Sequence, residues 1–519
     1  MTASAEPSRL PRPMARLDAW ANRLFGSRYN PLYQSGTIVV VLWLLLLVTG
    51  LWLLLYYRVG SPWRSVAGIA ENPWVGRWIR GAHRYGSDAA VVATAVHALR
   101  MFLQRRTWGP RALAWVSGVV LLGVVLVSGW TGFVMVWDWF GRELAVGGAR
   151  LLDLLPLFSE PIARAFAGDR PVGSAFFFLN LFLHVALPLG LGLVFWLHVS
   201  RLQRPLLLPP KALGWAVVAA MIGLAVVMPA PLPPEADPYR VPAAIPADWF
   251  YGFWLPGLDR FGPGAIWAAL TVVTVGLILV PWLTRPRVEV RPAVSRVDSQ
   301  LCTGCEQCAQ DCPFEAITMV TRSDGRAELI AKIDPARCVG CGICAASCAP
   351  MGVGPAGRTG RDQLRAVEAL IDGHRVSGRV VAFGCDHGAA ALRGALAARE
   401  VEMLAVPCVG NVHTSAIEYL VRAGARLVLV LGCPPRDCWN REGPRWLTER
   451  VYHDREAELK ARVERRRVAI AEVDPLDPTA ALALIDGLIR DRNLDPPLVA
   501  ETRPSLDIEC EPVPVREDR

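Results

Sequence analysis

Four histidines stand in the first 284 residues of this 519-residue chain, and they form two pairs of equal spacing, His83 with His97 and His184 with His198. Each pair lies in an apolar run. Fourteen residues at 3.6 per turn return the second imidazole to nearly the same helix face, about 21 Å further along the axis. Two such helices side by side would clamp two flat metal-bearing rings, because bis-histidine haem ligation takes one axial nitrogen from each helix. A single intramembrane histidine is equally well explained by an interhelical hydrogen bond; two matched pairs are not. Gly36/Gly50 and Gly118/Gly132 repeat the same interval on two further apolar runs, where a missing side chain lets backbone approach a ring closely.

The second chemistry is sulfur. All thirteen cysteines lie beyond residue 300. Cys302, Cys305, Cys308 and Cys312 are separated by two, two and three residues, as are Cys338, Cys341, Cys344 and Cys348. In this bacterial ferredoxin run the fourth cysteine ligates the other cluster, so Cys302, Cys305, Cys308 and Cys348 are assigned to one [4Fe–4S] cluster and Cys338, Cys341, Cys344 and Cys312 to the other. Zinc competes for paired cysteines, but the duplicated eight-cysteine spacing disfavours it. Such ligand spacing belongs in a reducing compartment.

The elements that position these groups follow from hydropathy. Spans are expected at about Thr37–Tyr56, His83–Leu103, Leu113–Trp137, Ser174–His198, Ala212–Met228 and Ala265–Leu283, each near bilayer length. Five arginines and no apolar core precede Thr37, so no signal peptide is expected and the amino terminus stays cytoplasmic; Leu17–Phe25 would be a short amphipathic surface helix. Six spans then place both termini and the cysteines in the cytoplasm, with the chain in the plasma (inner) membrane. Helix direction gives His83 and His184 to an outer haem and His97 and His198 to an inner one. No basic stripe interleaved with aromatics is present, which excludes nucleic acid as a partner.

From Arg379 onward, apolar runs at Val380–Gly384, Glu402–Pro407, Arg426–Gly432 and Val468–Val473 alternate with helical segments near Ala389–Arg399 and Thr414–Ala423. That is the pattern of a parallel sheet with helices on its faces. Cys385, Cys408 and Cys433 follow the first three runs and Cys438 comes shortly after, so four thiols converge at the carboxyl edge. Arg445–Arg467 is expected as a charged helix with a solvated or partner-binding face.

The fold class is therefore multi-domain: a helical transmembrane bundle, an α+β dicluster ferredoxin domain and an α/β parallel-sheet domain. Boundaries are an arm over 1–36, the membrane domain over 37–284, a linker over 285–299, the ferredoxin-like domain over 300–356 and the α/β domain over 375–493. A tail over 494–519, rich in proline and charge and holding the odd Cys510, is expected to be disordered.

Residues 30–284 resemble the cytochrome b family of quinol-oxidising bc and b6f complexes, on the two histidine pairs and the two glycine pairs. The resemblance implies two haems b, with Arg80 and Arg100 falling where the family pairs arginines with propionates. It also aligns Asp248-Trp249-Phe250 with the family's Pro-Glu-Trp-Tyr loop, so that Asp248 stands for the glutamate that takes a quinol proton and Phe250 for the tyrosine. The family's last two helices, and anything like a Rieske protein, are missing from the sequence. Residues 380–451 resemble the delta subunit of methyl-viologen-reducing hydrogenase, on Val406-Pro-Cys408-Val-Gly-Asn-Val and on Gly424 through Cys433-Pro-Pro-Arg-Asp-Cys438 with Arg441-Glu-Gly443. That likeness implies one [2Fe–2S] cluster on Cys385, Cys408, Cys433 and Cys438, although the family's additional cysteine is replaced near Gly384 and Gly388; zinc or free thiols compete.

The expected function is a quinone-linked membrane oxidoreductase, one subunit of a complex, that exchanges electrons between a cytoplasmic partner and the quinone pool. By resemblance the partner is a heterodisulfide-reductase-like flavoprotein or a hydrogenase module. A homodimer is compatible with the sequence. The competing reading is a non-catalytic wiring subunit with no quinone site of its own.

Overall fold

The computed structural model describes residues 12–156, 160–166, 172–200, 204–237, 248–285, 293–322, 324, 329–434, 437–474 and 477–492. The start of the amino-terminal arm, residues 238–247 of the Asp248 loop, residues 286–292 of the 285–299 linker and the 494–519 tail with Cys510 lie outside them. The chain forms two compact units, residues 31–286 and residues 1–30 with 287–519.

Among the described residues of the first unit, four helices are long and apolar enough to cross a membrane: Ser35–Tyr56, Ala112–Val136, Ser174–Ser200 and Leu255–Leu283. Their exposed side chains are large and apolar, among them Val48, Leu51, Leu55, Leu189, Val272 and Trp282, the surface a hydrocarbon solvent requires. The two other expected spans differ in kind. Gly76–Leu103 has 28 residues but carries Arg77, Arg80, Arg84, Asp88 and Arg100. Lys211–Val227 is apolar but has 17 residues, at the lower limit of the ~17–25 that span a bilayer. The last helix starts ten residues before the expected position because Leu255–Phe261 precedes a break: Gly262 adopts φ 77°, and Pro263, which has no N–H to lose, opens the apolar segment. Ser35–Tyr56 packs on Gly76–Leu103, and Ala112–Val136 on Ser174–Ser200. The loop expected after Trp137 contains a helix, Trp139–Leu152, capped by Asp138, whose carboxylate accepts the Gly141 N–H at 2.7 Å.

In the second unit the amino-terminal helix runs Arg12–Tyr29 with a break at Gly26, whose φ is 71°, so its first segment begins earlier than expected and ends at the expected Phe25. Asn22 and Arg23 bond Asp474 and Asp477, so its polar residues serve the iron–sulfur unit. The ferredoxin-like part has two antiparallel pairs, β1 (Ser295–Val297) with β4 (Val353–Pro355) and β2 (Ile317–Thr321) with β3 (Leu329–Ile333). The expected linker therefore ends early, because Ser295–Val297 is already strand.

The α/β part has the expected parallel sheet, in the order β6-β5-β7-β8, with β5 at Val380–Cys385, β6 at Val401–Val406, β7 at Leu427–Gly432 and β8 at Val468–Glu472. Its central strands β5 and β7 are buried on both faces, which is why they occur as continuous apolar runs, whereas the edge strands β6 and β8 are partly exposed. The unassigned stretch before residue 375 forms Gly360–Asp372, opened by a Thr359/Asp362 capping box and packed on Thr414–Arg422. The charged helix expected over Arg445–Arg467 is corrected. It runs Gly443–Tyr452 and stops before the left-handed turns at Asp454 and Ala457. Its face is not wholly solvated either, since Arg450 is completely buried.

Candidate functional site

Each of the four histidines faces the glycine expected to make room for it. An ideal Cβ on Gly50 would lie 3.1 Å from Cε1 of His83, on Gly36 3.0 Å from that of His97, on Gly132 3.0 Å from that of His184 and on Gly118 3.4 Å from that of His198. The residue before each glycine is a hydroxyl that meets the same imidazole at Nδ1: Thr49 with His83 at 2.9 Å, Ser35 with His97 at 3.4 Å, Thr131 with His184 at 3.1 Å and Ser117 with His198 at 3.1 Å. Occupying Nδ1 fixes the ring and leaves Nε2 free to bind a metal. These hydroxyls were missed from sequence, although Ser/Thr-Gly occurs as two pairs, each at the same fourteen-residue interval, and would have revealed them.

His83 and His184 face each other with ring centroids 6.3 Å apart. Two metal–imidazole bonds of about 2 Å, with about 1 Å more from each nitrogen to its ring centre, give roughly 6 Å. A flat ring carrying one iron fits between them, inside a glycine cradle that any larger residue would fill. Arg80 donates to the Ala230 and Pro231 carbonyls at 2.7 and 2.9 Å, so its guanidinium holds the loop after Lys211–Val227. Arg100 is buried with its guanidinium 4.7 Å over the Tyr33 ring.

Asp248 caps a turn. Oδ1 accepts the N–H groups of Phe250 and Gly252 at 3.0 and 2.9 Å and that of Tyr251, while Oδ2 stands 3.5 Å from Arg84. Phe250 is half-buried; Tyr251, beside it, is buried against Gly129, which has no side chain to obstruct the ring.

The eight ferredoxin cysteines sort into the two crossed sets. Cys302, Cys305, Cys308 and Cys348 line one cavity, and Cys312, Cys338, Cys341 and Cys344 line the other. Backbone amides point at the sulfurs: Gly352 N–H to Cys348 at 3.3 Å, Ala316 N–H to Cys312 at 3.4 Å and Ser295 N–H to Cys338 at 3.5 Å. Such donors stabilise the negative charge that cluster ligands carry. Among the described residues no three His, Cys, Asp or Glu side chains close on a single ion. Thiols spaced around a cavity suit a multinuclear core.

At the sheet edge, Cys385 ends β5 and its sulfur lies 3.3 Å from that of Cys433, immediately after β7. Cys408 and Cys438 are buried close by. The hydrogen bond from Cys385 and burial raise the Cys433 thiol well above its usual value, and burial, helped by the charge of Cys438, pushes Cys408 up to about 12. Thiols so costly to ionise become ligands only when a metal neutralises them. Of the two glycines near the family's additional cysteine, Gly388 lies beside Cys433, whereas Gly384 packs on Met403.

Residues 21–205 match the cytochrome b/b6 family, residues 301–352 the 4Fe-4S dicluster domain and residues 380–491 the delta subunit of methyl-viologen-reducing hydrogenase. Cytochrome b6 of Porphyra purpurea is 31% identical over 182 residues, 34% of this chain and 83% of that one. The chain belongs to the cytochrome b family. Menaquinol:cytochrome c reductase cytochrome b subunits of Geobacillus thermodenitrificans and Bacillus subtilis are each 27% identical over 176 residues, 33% of this chain and 79% of theirs. The cytochrome b region is thus joined in one chain to a dicluster ferredoxin domain and a hydrogenase-delta-like module, each matched over its own residues.

Proposed function

We propose that this cytochrome b fusion exchanges electrons between a cytoplasmic redox protein and the quinone pool of the plasma membrane. The route runs through one [2Fe–2S] cluster, two [4Fe–4S] clusters and two haems b. When bound, each of these groups accepts and releases a single electron. The chain's own share is placement: His83 and His184 orient imidazoles toward one ring, His97 and His198 toward the other, and twelve cysteines divide into three sets. Arg100 is assigned to the inner propionates. The observation that carries the reading is the four-fold histidine, glycine and hydroxyl arrangement, in a chain that also folds two thiol-lined ferredoxin cavities.

The partner is a heterodisulfide-reductase-like flavoprotein or a hydrogenase module, since the delta-like module is the part built to meet one. A menaquinol-type quinone suits the membrane end, by likeness to the reductase subunits. The two readings part at the quinone. A purified chain with reduced haems, mixed with a soluble menaquinone analogue, should reoxidise in proportion to quinone; no dependence on quinone would leave a wiring subunit that passes electrons to another membrane protein. The Asp248 turn favours that second reading at one point, because its carboxylate is already engaged in holding the turn, by three amides at Oδ1 and Arg84 at Oδ2.

A further inference from the structure

Arg450 reaches from the α/β fold into the ferredoxin-like fold and is wholly buried. It donates to Asp311 Oδ2, to Ser347 Oγ and to the Gly410 carbonyl, each at 3.0 Å. Asp311, equally buried, also accepts from Gln307 at 3.0 Å, Ser347 at 2.7 Å and Arg455 at 3.0 Å. Asp311 directly precedes Cys312 and Ser347 directly precedes Cys348, the two cysteines that cross to the opposite cluster set. One guanidinium therefore fixes the backbone beside both crossing ligands.

The same seam is closed by small residues. Asn411 donates to the Gly342 carbonyl at 2.8 Å, and a Cβ on Gly342 would collide with that asparagine. A Cβ on Gly410 would lie 2.5 Å from Gly443 and 2.9 Å from Ile343, and one on Gly443 would strike the Cys408 sulfur. The two ferredoxin runs differ at this point. Glu306 and Gly342 hold equivalent positions with φ 64° and 79°, and the α/β fold packs against the glycine of the second run. There Ile343, Cys408 and Trp446 form one apolar cluster with Cys341 packed against it.

We propose that Arg450 and Asp311 are positioning residues that clamp the two folds so that the Cys385/Cys408/Cys433/Cys438 site meets the Cys312/Cys338/Cys341/Cys344 cluster and exchanges electrons with it across the apolar cluster that holds Cys408 and against which Cys341 packs. The inference rests on the electron-transfer reading above. One electron leaves one centre and arrives at the other; no bond forms or breaks and no proton moves. The cluster on Cys302, Cys305, Cys308 and Cys348 is then the second relay.

The test is electron paramagnetic resonance of the full chain, reduced with dithionite, reading how far neighbouring reduced clusters speed relaxation of the two-iron signal. The enhancement should persist in Cys305→Ala and vanish in Cys338→Ala. It should fall severalfold in Arg450→Met with iron content unchanged, and recover in part in Arg450→Lys. Asn411→Ala, which disturbs no buried charge, should lower it even if Arg450→Met fails to fold. A two-iron signal whose enhancement follows Cys305, or is indifferent to both Arg450→Met and Asn411→Ala, would overturn the junction alone. A wild-type chain without any two-iron signal would overturn the reading of the thiol site and the inference with it.

Discussion

Thr49 Oγ1 stands 2.9 Å from Nδ1 of His83, and the next residue, Gly50, vacates the space beside the same ring. One dipeptide thus both orients a ligand and makes room for what it binds. Gly50→Ala should therefore eject or misplace the haem held by His83 and His184, since the added methyl falls 3.1 Å from the ring. Thr49→Val should keep the haem with about 10–100-fold weaker retention, the usual cost of losing a partner behind a ligand. Haem content after detergent extraction checks both.

Replacing His97 or His198 should remove one haem of two and block transfer from the clusters. Loss of His83 or His184 should remove the other and leave cluster-to-haem transfer intact. Redox difference spectra of the four variants distinguish these outcomes; equal loss of both haems in all four, with folded protein, would mean the sites are not separate.

Asp248→Asn should leave quinone turnover within a few-fold of normal, because an amide oxygen still accepts the three turn N–H groups. Asp248→Ala should cost about 1 kcal/mol of stability, as for a lost cap. A drop of about 10²-fold or more in Asp248→Asn turnover, with haem content intact, would restore the carboxylate as a proton acceptor.

Cluster content gives a further count. Three sets of thiols ask for about ten non-haem irons, and Cys433→Ser should remove about two while sparing the four-iron signals. Reduction by the cytoplasmic partner should then stop, although artificial donors still reduce the haems. Chemical iron analysis and resonance spectra measure this; eight irons with one zinc would point to zinc at the sheet edge.

Asp311→Ala should destabilise the iron–sulfur unit by about 3–5 kcal/mol, the cost of leaving a buried cation unpaired. Replacing Asp311 and Arg450 together by apolar residues of similar volume should recover much of that loss. Thermal unfolding of the loaded chain compares the two.

What was legible in the sequence was what repeats or alternates. The fourteen-residue interval identified the imidazole faces, the two-two-three spacing sorted the cysteines, and the apolar runs near Val380, Glu402 and Leu427 fell within a residue or two of β5, β6 and β7. Long-range partners were not legible. Arg450 lies 139 residues from Asp311, and nothing in a run of charges marks the one that is buried. The helix was extended to Arg467 because charge alone carries no stop signal, whereas the chain ends it through left-handed residues at Asp454 and Ala457. Asp248 was read through its chemical type; its three amide contacts arise from turn geometry that composition does not express.

The equal intervals on all four helices also carry a mechanical consequence. His184 and His198 ride on one helix, Ser174–Ser200, with Pro188 between them, and the Ser/Thr-Gly pairs that receive them ride on another, Ala112–Val136. A slide or roll that moves either helix as a whole displaces both imidazoles from their cradles together, so the two sites are geared. A change that re-centres one ring by moving a helix mis-centres its companion. Independent adjustment of the two histidine sites is left to the side chains around each, and the backbone is held where both fit.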